Sequence, residues 1–329
     1  MKITLLFVAC VLRAQEGELA ILLKGASAMA FYTPQGKEIA RTAVRPHPHE
    51  MVFSADGRFL YTTDNGTMRI EQAGTGGNFV SIIDVKARKK VGEIDLGQYR
   101  RPHGIDLDRA TGRLAVTTEL PDKLLWIDPV AKKIERVFDT GGRTPHMVVL
   151  GPGAKHAYIS HSNSGNVTAV DLASGAVKSL ATGTRPEGSV LSADGKRVYV
   201  VNRESAKVTV IDTATQAIVG TIASGKGPVR IARTPDGKQV IFACMHDEVV
   251  EFADTGTLKV VGRTEKLPGP LVSLTVSPDG KYVFASAEER DIVYVISVAE
   301  RKVVRKLTLP KGSHPDPVFL LRNGATVIP

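Results

Sequence analysis

HPHEMVFSADGRFLYTT at 47–63, RPEGSVLSADGKRVYVV at 185–201, GPVRIARTPDGKQVIFA at 227–243 and GPLVSLTVSPDGKYVFA at 269–285 are four versions of one pattern. Each runs from a proline through a short alternating strand, an Asp-Gly turn and a second strand that ends in small or polar residues. The prolines that keep the beat are Pro48, Pro102, Pro145, Pro186, Pro228, Pro270 and Pro315, at intervals of 54, 43, 41, 42, 42 and 45 residues. A second marker is in phase with the first. Strands such as KLLWID, NVTAVD and KVTVID end at Asp128, Asp171 and Asp212, with Asp84 and Asp254 in the same place, and a fourth strand follows each turn. Four short strands in every ~42 residues predict the blade of a β-propeller, and Asp-Gly supplies the positive φ of a tight hairpin.

Counting gives seven units, the last divided between the chain's two ends. PVFLLRNGATVIP at 317–329 holds an opening strand or two, and ELAILLKGASAMAFYTPQGKEIARTAV at 18–44 holds the remainder. Pairing them closes the ring and removes the free inner edge. The expectation is an all-β fold, a seven-bladed β-propeller of four-stranded antiparallel blades closed by its N- and C-terminal segments, forming a single domain over 16–329. The recurrent aspartates after the third strands are expected to fix turns through backbone amides and to carry no chemistry.

RVYVVNRESAKVTVIDTAT at 197–215 resembles the hallmark of the YVTN β-propeller family, and the resemblance extends over nearly the whole repeat region. It implies a fold far more than a function, because that family contains surface-layer proteins and binding modules alike. HPHEMVFSADGRFLYTTDNG at 47–66 is similar to a stretch in lactonases of the 6-phosphogluconolactonase and carboxymuconate-cyclase type, which implies a site at the mouth of the central channel. RPHGIDLD at 101–108 is more distantly similar to repeats in the haem-binding propellers of nitrite reductases.

The segment 1–15 reads as a signal peptide, with Lys2 as its positive start and an apolar run over 3–12; Cys10 offers a lipoprotein alternative. Export to the periplasm or the extracellular space is the expectation. The only other cysteine is Cys244, so no internal disulfide is expected. A formal charge of +9 favours anionic surroundings, either a small anionic ligand or a cell-envelope component. No nucleic-acid motif accompanies that charge, no later run is long enough to span a bilayer, and a monomer is expected.

The residue after each repeat proline should lie at the channel mouth. In ring order these are His49, His103, His146, Glu187, Val229, Leu271 and Asp316, so the polar members form one unbroken arc. His49, His103, His146, Glu187 and Asp316 are a candidate set for a divalent metal, since three imidazoles flanked by carboxylates suit a borderline ion. Without metal the arc would bind a polar ligand or simply line a wet channel, and all these readings stay open. Arg101, Arg143 and Arg185 near the prolines, with His161 and Asn202 at the ends of second strands, are candidate ligand-binding residues. In the lactonase-like alternative Glu187 acts as base, His49, His103 or His146 activates water or holds metal, and Arg101 or Arg185 grips an anionic sugar acid; in the haem alternative a histidine is the axial ligand. The long first interval comes from an insertion, GTMRIEQAGTGG at 66–77, which is either a lid over His49 or a tolerated surface loop. The reading that best joins these features is an exported binding or interaction propeller with a small-ligand or metal site at the mouth.

Overall fold

The computed structural model describes residues 17–321, so the leader expected at 1–15 lies outside the described residues, as does 322–329. Twenty-eight strands form seven four-stranded antiparallel sheets arranged as the blades of a propeller. Blade 1 is the composite one. Its outer strands are Glu18–Leu23, Ala28–Tyr32 and Glu38–Ala43, and its inner strand is Pro315–Leu321. The closing register is antiparallel, with Leu19 opposite Leu320 and Ile21 opposite Val318. The remaining inner strands are Pro48–Phe53, Arg100–Leu107, Pro145–Leu150, Pro186–Leu191, Pro228–Arg233 and Leu271–Val276, in blades 2 to 7. Among the described residues, no helix is long and apolar enough to cross a membrane.

Burial follows position in the blade. The two middle strands are covered on both faces by neighbouring blades, and YVFASA or NVTAVD is accordingly buried along almost its whole length. The outermost strands face water on one side and carry the charges, as in EIARTA and KIERVFD. Apolar clusters bridge adjacent blades: Tyr199, Val201 and Val210 of blade 5 pack with Ile231, Val240 and Phe242 of blade 6. Burial of that kind, at about 25 cal/mol per Å², holds a chain whose one described cysteine is free.

The repeated turns have a specific chemistry. Asp56 accepts hydrogen bonds from the Ser54 hydroxyl (2.6 Å) and the Arg58 amide (3.0 Å), while Gly57 takes φ 70°. Asp194 and Asp236 repeat the device with Ser192 and Thr234. The aspartates after the third strands behave as expected: Asp128, Asp171, Asp212 and Asp254 each accept two backbone N–H bonds.

Two features of the inner strands shape the mouth. Gly104 and Gly188 let neighbouring inner strands approach closely. A Cβ on Gly104 would sit 2.6 Å from the His146 carbonyl oxygen, and one on Gly188 would sit 2.9 Å from that of Val229. Those contacts draw blade 3 against blade 4 and blade 5 against blade 6. The second feature is a register shift just after each strand begins, as between Pro48 and Met51 or between Pro228 and Arg230. A bulge of this kind breaks the two-residue alternation of side chains.

Candidate functional site

The inner-strand starts surround a cavity of about 420 Å³ at one end of the channel. Its wall includes His49, His103, His146, Glu187, Val229 and Asp316, so the expected arc is assembled at one mouth. The residue that precedes each repeat proline has positive φ in all seven blades, and five of the seven are not glycine. Left-handed backbone at such positions is strained, and here it turns the chain into the channel.

The three imidazoles pack against one another, His49 on His103 with centroids 4.5 Å apart and His103 on His146 at 3.9 Å. Each spends one nitrogen on the protein. His49 Nε2 donates to the Thr67 carbonyl (2.7 Å), His103 Nδ1 to Glu119 Oε1 (2.9 Å), and His146 Nε2 lies 3.2 Å from Glu187 Oε2. Burial pushes all three well below the usual imidazole range, His146 to about 4, and the positive charges of Lys24 and Arg230 push the same way. They are neutral bases at pH 7 with fixed tautomers.

This arrangement revises the expected metal set. His49, His103, His146, Glu187 and Asp316 stand side by side in the wall but do not converge. Among the described residues, no group of three or more His, Cys, Asp or Glu side chains is placed to hold a metal ion. Ring packing and internal contacts commit one nitrogen of each imidazole to the protein instead.

The arginines are revised as well. Arg101 turns inward, with Nε 2.7 Å from Glu119 Oε2, and donates to the carbonyls of Ile70 (2.8 Å) and Gln72 (3.0 Å). Arg185 reaches Glu187 (3.0 Å) and Glu71. Neither guanidinium is left to grip an anion. Arg143 is at the surface, bonded to the Asn163 carbonyl and outside the cavity wall. Asn202 is buried, with its amide donating to Thr209 and to the Val200 carbonyl. His161 donates to the Thr168 hydroxyl (2.9 Å) within its own blade. These last two residues tie strands together away from the cavity.

His161 gives a clean pH test. Burial lowers it to about 4 against an ordinary 6.5, with only the Thr140 backbone opposing. The folded chain therefore binds fewer protons there than the unfolded chain between those values. The stability it contributes is complete above pH 6.5 and is lost as pH falls toward 4, by up to about 3 kcal/mol. His161→Gln is expected to flatten the fall of the urea midpoint between about pH 7 and pH 4.5. Parallel slopes in parent and variant would show that His161 is not buried as a neutral base.

Four residues that matter most were not anticipated. Lys24, 5% exposed, sits 2.8 Å from Asp316 Oδ2 and 3.2 Å from Glu288 Oε1. Arg230 of blade 6 pairs across the channel with Glu50 of blade 2. Burial raises Glu50 to about 7 despite Arg230, and raises Glu119 to about 7 despite Arg101. Glu187 goes the other way. Burial would raise it, but His146, Arg203, Arg230 and Arg185 together hold it below the ordinary carboxylate value. Five polar atoms of wall residues are buried without a hydrogen-bond partner: His103 Nε2, His146 Nδ1, Asp316 Oδ1, Arg203 Nε and Arg230 Nε.

The insertion 66–77 crosses this mouth. Met68, Ile70 and Glu71 form part of the cavity wall, Arg69 pairs with Glu289 of blade 7, and Glu71 pairs with Arg185 at the start of blade 5. It is a strap anchored on both sides. The second-strand thiol, Cys244, is buried and pushed up in pKa by that burial and by Glu251, which suits packing rather than nucleophilic attack.

A family model described as YNCE-like beta-propeller matches residues 140–324. No curated protein matches the sequence. Among solved structures, a functionally unknown protein from Desulfotomaculum acetoxidans superposes with a TM-score of 0.78 at 15% identity, covering 93% of this chain and 99% of its own. Hydrazine synthase of Kuenenia stuttgartiensis gives 0.70 at 20% identity, covering 86% and 96%. The dihydro-heme d1 dehydrogenase NirN in complex with DHE gives 0.67 at 16% identity, covering 94% and 76%. At these identities the likeness is one of fold.

Proposed function

From the premise that this chain belongs to the YNCE-like β-propeller family, we propose that it is an exported binding protein that holds a small polar molecule at the strapped mouth of its channel. One observation carries the reading: five residues that line a single cavity of about 420 Å³ each hold a buried polar atom with no hydrogen-bond partner. Buried polar atoms ordinarily have partners, and each one left alone costs about 1–3 kcal/mol. A ligand that satisfies them recovers that energy. The export half of the reading rests on the apolar run at 3–12 behind Lys2.

Protonation chemistry favours binding over lactone hydrolysis. A general base works best with a pKa near the operating pH. Glu187 is held below the ordinary carboxylate value, and His103 well below the imidazole one, so both are weak bases at neutral pH. One observation supports haem as the second reading. The free Nε2 of His103 is an imidazole lone pair in the mouth, and one fold neighbour is described in complex with DHE.

Methionine methyl groups give the test. Met68 and Met245 line the cavity, whereas Met29 is buried in the blade 1–blade 2 core. With 13C-methyl methionine, compounds that bind are expected to shift the Met68 and Met245 signals and leave Met29 in place. Binders that move only other methionines would overturn the mouth site. An absorbing complex formed with haem, and lost in His103→Ala, would move the second reading to the front.

A further inference from the structure

The fixed tautomers make the free atoms of the mouth chemically one-sided. His103 gives its Nδ1 proton to Glu119, a carboxylate also held by Arg101, so its unpartnered Nε2 is a lone pair. His146 directs Nε2–H toward Glu187, so its unpartnered Nδ1 is a lone pair too. Asp316 commits Oδ2 to Lys24 and leaves Oδ1. Against these three acceptors stand two donors without a hydrogen bond, the Nε–H of Arg230 and that of Arg203. The occupant must therefore bring several hydrogen-bond donors and at least one acceptor.

Charge narrows the class. Among the described residues an anion meets no unpaired cation in the wall: Lys24 serves Asp316 and Glu288, Arg230 serves Glu50, Arg185 serves Glu187 and Glu71, Arg69 serves Glu289, and Arg203 lies 3.6 Å from Glu187 and 3.7 Å from Glu204. It would also face the free oxygen of Asp316. A cation would enter beside Lys24 and Arg230, whose field already opposes protonation of all three imidazoles. What remains is a neutral group that both donates and accepts, and a hydroxyl does so from a single atom. The opposite wall, formed by Val229, Met245, Pro270 and Val272, is apolar and suits the C–H face of a saturated ring.

We propose that the mouth binds a neutral polyhydroxylated molecule, a saccharide or cyclic polyol, with ring hydroxyls on His103 Nε2, His146 Nδ1, Asp316 Oδ1 and Arg230 Nε and its C–H face on the blade 6–blade 7 wall. This deepens the small-ligand reading above and rests on it. It also replaces the anionic ligand expected from net charge, because that charge is spread over the outside whereas the mouth is internally compensated.

The experiment titrates the full chain, labelled at methionine methyls, with four probe sets at matched concentration. These are neutral probes (glucose, galactose, trehalose, myo-inositol), acids (gluconate, glucuronate), amines (glucosamine, putrescine) and zinc chloride. The expected result is a saturable shift of Met68 and Met245 with at least one neutral probe, at least about tenfold tighter than any acid or amine. His146→Phe and His103→Phe, each removing one acceptor, should each weaken that probe about tenfold. Two variants are used so that a folding failure in one leaves the other to decide. Tighter binding of an acid, an amine or zinc at Met68 and Met245 would overturn the polyol class and leave the mouth site standing. Neutral-probe affinity unchanged in the variants would overturn the assigned contacts. No shift of Met68 or Met245 with any set would remove both the class and the site.

Discussion

Lys24→Met is expected to lower unfolding free energy by about 3–5 kcal/mol, the cost typical of removing one partner from a buried ion pair. Lys24 lies in the turn between the first two strands of blade 1 and, among the described residues, is the sole cation within bonding distance of Asp316 Oδ2. It also binds Glu288 in the 3-10 turn Glu288–Arg290 of blade 7. Burial works against its charge, but Asp316 and Glu288 outweigh burial and keep it protonated. Methionine fills a similar volume, so the loss is electrostatic. Two carboxylates would then share a dry site with no counter-charge, and at least one would have to take up a proton.

The sign of the pH dependence follows. Burial already raises Glu288 above its ordinary value while Lys24 pulls it down, so without Lys24 it rises further and the folded variant binds more protons there. Its stability falls as pH rises through that window and recovers as pH falls, so the gap to the parent should narrow from about pH 8 to pH 5. Urea midpoints at the two pH values read this directly. Adding Asp316→Asn and Glu288→Gln to Lys24→Met should recover most of the loss. A loss below about 1 kcal/mol would place Lys24 among solvent-screened pairs and contradict the buried triad.

Why was Lys24 invisible in the sequence while His49, His103 and His146 were not? Seven prolines at a steady interval mark where each inner strand begins, and the next residue in each repeat could be read as a ring. The Asp-Gly turns and the strand-closing aspartates are local devices whose partners lie two or three residues away, so the blade was legible throughout. Arg230 and Glu50 fall one residue beyond that ring. In a regular strand they would point away from the mouth, and the bulges after Pro48 and Pro228 are what bring them in. No local residue signal announces those two bulges; only in blades 3 and 5 does a glycine, Gly104 or Gly188, mark the equivalent place two residues past the proline. Lys24 belongs to the divided blade, outside the repeat's register. Its role depends on ring closure, a contact between residues almost a full chain apart. His161 and Asn202 were drawn toward the mouth by the same periodic argument. They fail to reach it because the second strand lies one strand farther from the channel and buries its polar ends in its own sheet.

The strap at 66–77 gives the second large effect. Its two outer anchors, Arg69 to Glu289 and Glu71 to Arg185, involve exposed or partly exposed side chains, and pairs of that kind contribute about 0–1 kcal/mol and weaken with salt. The anchor that matters is underneath. Arg101, 6% exposed, gives two charged hydrogen bonds to the strap's own carbonyls at Ile70 and Gln72, worth about 1.5–3 kcal/mol each. Its close fit under the strap is set by Gly76, where a Cβ would meet Arg101 Cγ at 2.4 Å. Arg101→Met should therefore free the strap, while His49 continues to hold its first residues through the Thr67 carbonyl. Trypsin cleavage after Arg69, read by mass spectrometry, is expected to rise at least tenfold, because 1.4 kcal/mol in opening free energy is a factor of ten. Glu119 would also lose its counter-charge, which lowers global stability and would speed cutting everywhere. Pairing the change with Glu119→Gln separates the two effects: the double variant should regain global stability yet keep the fast cut at Arg69. If the Arg69 cut returns to the parent rate in the double variant, Arg101 acts on the blade through Glu119 and the strap is held by its outer bridges. If it stays fast in low salt as well as high, the mouth is closed by one buried arginine, and access to the cavity is set by how often that arginine lets go.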